Sequence, residues 1–198
     1  MISLMVVFYI FLVLFGIIGG LRGWAKEMLV IFSVVLALFI IFLLEKFAPF
    51  ISPFQEVYTV TEGFSVAFNL IPEAIQSSLK TQFWVRSLIL VVLVFFGYQT
   101  PGISRFAAVA RREKVQDLIL GVIFGLINGY LVIGTIWSFM NSAQYPFEPY
   151  IVAPQVGQPL AETAISLIAK LPPLWLGGEP GIYVAVGLAF LFVLVVFI

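Results

Sequence analysis

The sequence predicts an all-α membrane protein of four to five transmembrane helices plus one or two interfacial amphipathic helices. Three observations carry that prediction. Of the 198 residues, 62% are hydrophobic and only 10% charged, whereas soluble domains carry about 25% charged residues. Ten basic and ten acidic side chains cannot cover the surface of a water-soluble core of this size. The apolar residues, finally, fall into five long runs. The balanced formal charge also excludes bulk attraction to nucleic acid, which needs an excess of cations on one face.

Crossing about 30 Å of hydrocarbon takes about 20 apolar residues as a helix, because lipid-facing backbone must satisfy its own hydrogen bonds. The five runs are 2–20, 28–44, 82–98, 118–140 and 181–198. The first begins uncharged and lacks an Ala-x-Ala pattern, so it reads as a retained span rather than a cleaved signal. Gly16 and Gly20 form a small-residue pair at its end. In the tight turn that follows, Arg22, Lys26 and Glu27 read as orienting and snorkelling residues, with Glu27 complementing the dipole of the second helix. The third run is short and carries Arg86 one turn inside, expected to snorkel to the interface.

The fourth run holds Gly121, Gly125 and Gly129 at intervals of four, which stack on one helix face and admit a close backbone. Packing within the chain is the expected use, with a homodimer seam as the alternative. Asn128, flanked by this face, is a candidate for a hydrogen bond between helices. Asp117, the only aspartate, has two readings: it pairs with Arg22, Arg111 or Arg112 and closes the bundle ends, or it caps the fourth helix. The fifth run ends without a charged anchor, so either the chain continues or its carboxylate is the anchor.

Between the runs, Pro159 precedes Leu160, Ala164, Ile165, Leu167, Ile168 and Leu171 at helical spacing, predicting a helix lying on the membrane. Pro72 with Ile75 and Leu79 predicts a shorter one, with Glu73 near its N-terminus. Residues 103–116 form a basic amphipathic candidate whose Arg105, Arg111, Arg112 and Lys114 would meet anionic lipid headgroups. The resulting division is 1–140 as a four-span domain, 141–180 as a loop with an interfacial helix, and 181–198 as a further span.

Orientation follows from basic residues in short loops, which stay cytoplasmic. Arg22 and Lys26 share a side with Arg105, Arg111, Arg112 and Lys114, and the opposite connections are net acidic. The N-terminus is therefore expected outside and the C-terminus inside. Trp24 falls at the inner boundary, and Trp84, Trp137 and Trp175 at or near the outer one, as interfacial tryptophans do.

With no Cys and no His, the chain lacks thiolate nucleophiles, imidazole bases, disulfides and the commonest zinc ligands. Nucleotide-binding, zinc-protease and serine-hydrolase motifs are missing too. No catalytic residue, metal site or cofactor is expected, and the chain is expected not to be an enzyme.

The stretch Gly19-Gly20-Leu21-Arg22-Gly23-Trp24-Ala25-Lys26-Glu27 between two spans, followed by Asp117-Leu118-Ile119-Leu120-Gly121 and glycines 125 and 129, resembles the colicin V production protein (CvpA) family. The resemblance covers the first four spans. It implies a bacterial inner-membrane protein linked to colicin V production or export and to envelope phenotypes. Arg22, Gly23, Lys26, Glu27, Asp117 and Gly121 carry over as motif positions without assigned chemistry. The fifth run lies outside the match. The expected role is a non-enzymatic scaffold or accessory in toxin export or envelope maintenance. An oligomeric transporter built on glycine-lined fourth spans, or a small subunit docking on a larger membrane complex, are the alternatives, with other membrane proteins or further copies as partners.

Overall fold

The computed structural model of the chain describes residues 4–47, 68, 71–99, 114–155, 157 and 160–197. These form helices and connecting turns, with no strand among them: α1 (Leu4–Arg22), α2 (Trp24–Phe47), α3 (Glu73–Gln99), α4 (Lys114–Ser142), α5 (Ala161–Ile168), α6 (Pro172–Leu176) and α7 (Gly181–Phe197). The first four are long and apolar enough to cross a membrane, and α5–α6 with α7, bent by 64° at their junction, make a fifth crossing if the pair is one span. The protein is an all-α, multi-pass membrane bundle.

Neighbouring elements set the topology. α1 and α4 run antiparallel: the Phe8 ring lies 5.6 Å from that of Trp137, while Gly19 meets Gly121 at the other end. α2 and α3 are also antiparallel, since Gly97 packs on Val30 and Ser33 and Arg86 pairs with Glu45. α2 and α4 run parallel, joined at Trp24–Asp117 and Glu27–Asn128. The chain thus goes up and down, with Arg22, Tyr98 and Asp117 at one end and Glu45, Arg86 and Tyr145 at the other.

The α1–α4 seam is glycine against glycine. A methyl group built on Gly19 would lie 2.7 Å from the Gly125 Cα and collide with the Gly121 carbonyl. One on Gly125 would reach 3.0 Å from the Gly19 Cα and strike the Phe15 carbonyl. Gly16 and Gly20 face Leu126 and Val122, and Gly129 faces Leu12 and Phe15. Without hydrophobic drive in lipid, such close backbone approach is what holds two helices together.

Two sequence expectations change. The short surface helix expected after Pro72 is instead the first part of α3, 27 residues long; Ile75 and Gln76 donate to the Pro72 carbonyl, and nothing from Leu79 to Gln82 interrupts the helix. The expected surface helix ending at Leu171 stops at Ile168, and a second short helix starts on Pro172, whose missing N–H and fixed φ suit the first helical turn. Trp137, in the last two turns of α4, is buried and its indole N–H donates to the Tyr145 hydroxyl. Arg105, Arg111 and Arg112, and the basic helix expected over 103–116, lie outside the described residues, apart from its last three positions, which open α4.

Beyond α4 the chain folds back onto the bundle. Gln144 and Tyr145 take left-handed φ values of 57° and 54°, and the Tyr145 N–H reaches the Met140 carbonyl at 2.9 Å, closing the helix as a glycine usually does. Pro172 and Leu171 pack against Gly134, and the Tyr130 hydroxyl donates to the Lys170 carbonyl. Lys46 at the end of α2 bonds Glu179 at 2.6 Å, and Phe42 meets the Tyr183 ring edge-on, which seats the start of α7 against α2.

Candidate functional site

Gly23 is the whole connection between α1 and α2. Its φ of +86° lies in the left-handed region that glycine tolerates best. Its N–H closes α1 on the Gly19 carbonyl at 2.9 Å. Directly over its Cα sits the Asp117 carboxylate, whose two oxygens would be 2.8 and 2.9 Å from an added Cβ. Asp117 Oδ1 accepts the Trp24 N–H at 3.2 Å. The carboxylate therefore caps α2 across the bundle. It neither caps its own helix, which already begins at Lys114, nor takes Arg22, which turns to Glu27; Arg111 and Arg112 lie outside the described residues.

Glu27 stands one turn into α2 and is fully buried. That overturns the snorkelling expectation for it; of the three charges in this turn only Lys26 is exposed. Burying a carboxylate in lipid demands partners on every oxygen, and Glu27 has them. Arg22 Nη1 donates to Oε1 at 2.6 Å. Asn128 Nδ2, also fully buried, donates to Oε2 at 2.7 Å and to the Glu27 backbone carbonyl at 2.9 Å. The second guanidinium nitrogen of Arg22 donates to the Tyr98 carbonyl at 2.9 Å, and its plane stacks 4.3 Å from the Tyr98 ring centroid. One arginine and one asparagine thus tie α1, α2, α3 and α4 together around a single carboxylate.

Glu27 and Asn128 sit on a parallel helix pair, and Gly121 and Gly125, one and two turns from Asp117, lie in the α1–α4 seam. Of the motif positions, Arg22, Gly23, Glu27, Asp117 and Gly121 converge on this end of the bundle. Lys26 points away. Lys114 opens α4 at the same end.

A second ionic cluster occupies the opposite end. Arg86 does not snorkel: it is 3% exposed and its Nη2 lies 2.8 Å from Glu45 Oε1. An ion pair between facing helices costs less in the membrane than a lone cation. The sequence signal for it was Glu45 near the end of one span and Arg86 near the start of the antiparallel next one. Among the described residues, no group of His, Cys, Asp and Glu side chains is arranged to hold a metal ion.

No family model, curated protein or solved structure matches this chain.

Proposed function

We propose that this chain is a non-enzymatic inner-membrane scaffold or accessory protein of the colicin V production type, serving toxin export or envelope maintenance. The observation supporting it is the convergence of the motif residues: Arg22, Gly23, Glu27 and Asp117 spend polar atoms on one another and on the Gly19, Trp24, Tyr98 and Asn128 groups around them. Chemistry used this way fixes four helix ends in one arrangement, and a fixed bundle presents its lipid-facing sides as constant surfaces to other membrane proteins. The end carrying Arg22 and Lys26 is the cytoplasmic one in this reading, by the retention of basic loops. Anionic headgroups would meet Arg105, Arg111, Arg112 and Lys114 there.

The transporter alternative, with fourth spans of several copies around a path, has less support, because the glycine face of α4 is occupied by α1 of the same chain. Purification in mild detergent followed by mass measurement of the intact assembly tests the scaffold role. Stoichiometric co-purification with another membrane component, or a defined homo-oligomer, is the expected result. A lone monomer at every detergent tried, from membranes solubilised without prior dilution, would remove it.

A further inference from the structure

Three buried polar atoms along the seam of α2, α3 and α4 have no hydrogen-bond partner among the described residues: Asn128 Oδ1, Thr135 Oγ1 and Ser87 Oγ. All three residues are more than nine-tenths buried. Polar groups in such positions are satisfied by protein or by ordered water, and a membrane interior makes the unsatisfied state costlier still.

Their placement is directional. Asn128 and Thr135 are two turns apart on one face of α4, so Thr135 lies about 10 Å further from the Arg22 end. α3 runs the other way, and Ser87, beside Arg86, belongs to the Glu45 end. On α2, Glu27 and Glu45 are five full turns apart, hence on one face and separated by about 27 Å, close to the thickness of a hydrocarbon core. Each of these carboxylates is held by an arginine from a neighbouring helix. The register set by Gly97 on Ser33 and by Arg86 on Glu45 puts Leu90, which has no exposed surface, beside the Leu38–Ile41 turn of α2, between the two polar ends.

We propose that this seam is a proton route, lined by water at both ends and held shut in the middle by Leu90. A proton entering at the Arg22 end passes through water and hydroxyl oxygens, each releasing one O–H proton as it accepts another. An equivalent proton leaves at the Glu45 end, so no bond or oxidation state changes overall. The inference stands apart from the scaffold role.

The test uses the full-length protein in proteoliposomes carrying an entrapped pH-sensitive dye, with a potassium gradient and valinomycin as driving force. Wild type should be as tight as empty vesicles, and Leu90→Asn should raise proton flux at least tenfold. Adding Thr135→Val and Ser87→Ala to Leu90→Asn should return the flux to the wild-type level. Leu88→Asn, on the lipid side of the same helix, controls for a polar residue merely disturbing α3 and should stay tight. Where Leu90→Asn does not fold, Leu90→Ala opens the same space without a polar group. The proposal is overturned if wild type already conducts above empty vesicles, if the Leu90 variant that folds is no faster than Leu88→Asn, or if the leak survives loss of both hydroxyls.

Discussion

Gly23 answers two demands that no other residue meets together, a left-handed turn and room for the Asp117 carboxylate. Gly23→Ala should cost about 1–2 kcal/mol for the backbone alone, with the Asp117 contact added to it. Asp117→Ala should cost about 0.5–2 kcal/mol as a lost cap. Because the two share a contact, thermal unfolding in detergent should show the double variant less destabilised than the sum of the singles; strict additivity would disprove the shared contact. Arg22→Met strands a fully buried carboxylate, a loss of about 3–5 kcal/mol when one partner of a buried pair is removed, and Arg22→Met with Glu27→Leu should recover most of it. At this scale the sequence was half legible. A glycine among charges between two apolar runs announced a tight turn. Its partner, an aspartate 94 positions on, is set by how α1 and α4 cross, which no local pattern encodes. Glu27 and Arg86 read as interfacial for the same reason, since a charge one turn inside a span looks identical whether it reaches for water or for a facing helix.

Among the elements, the α1–α4 pair makes the firmest claim. Gly125→Leu forces a side chain against the Phe15 carbonyl and the Gly19 backbone, neither of which is the yielding end of a side chain. Overpacking of this kind costs typically about 1–3 kcal/mol, and here it should separate α1 from the bundle, read as protease cleavage at the α1–α2 turn that wild type resists. Gly187→Ala is the matching control: an added Cβ on α7 meets nothing within 4 Å, so the gain in helix propensity, about 0.5–1 kcal/mol, should appear undiminished. A period of four along the fourth run told that a backbone comes close, and the same spacing at 16 and 20 offered a partner. What the spacing did not hold was Gly19, one place off that period, which makes the nearest approach. The α3 boundary was missed on other grounds. Hydropathy falls over Lys80, Thr81 and Gln82, yet all three are compatible with a helix, and a drop in hydropathy marks where lipid ends rather than where a helix does.

For the whole molecule, the open question is how firmly α7 belongs to the bundle, since it is 17 residues long and joined through the bend after α6. Its polar attachment is the exposed cluster in which Lys46 bonds Glu179 at 2.6 Å and the Tyr183 hydroxyl donates to the same carboxylate at 3.0 Å. Those bonds, chiefly the one from Lys46, hold the Glu179 carboxyl below its ordinary value of 4.5. A carboxyl depressed in the folded state contributes stability that is complete above its unfolded value and fades as pH falls through the folded one. Solvent screens an exposed pair, so the contribution is small and shrinks with salt. The difference in thermal midpoint between wild type and Glu179→Gln should therefore be present at neutral pH in low salt. It should close between about pH 5 and pH 3, and at neutral pH it should also close on raising the salt. A difference that persists unchanged through that acid range would mean that the apolar contacts of Phe42, Tyr183 and Ile182 seat α7 without help from the ion pair.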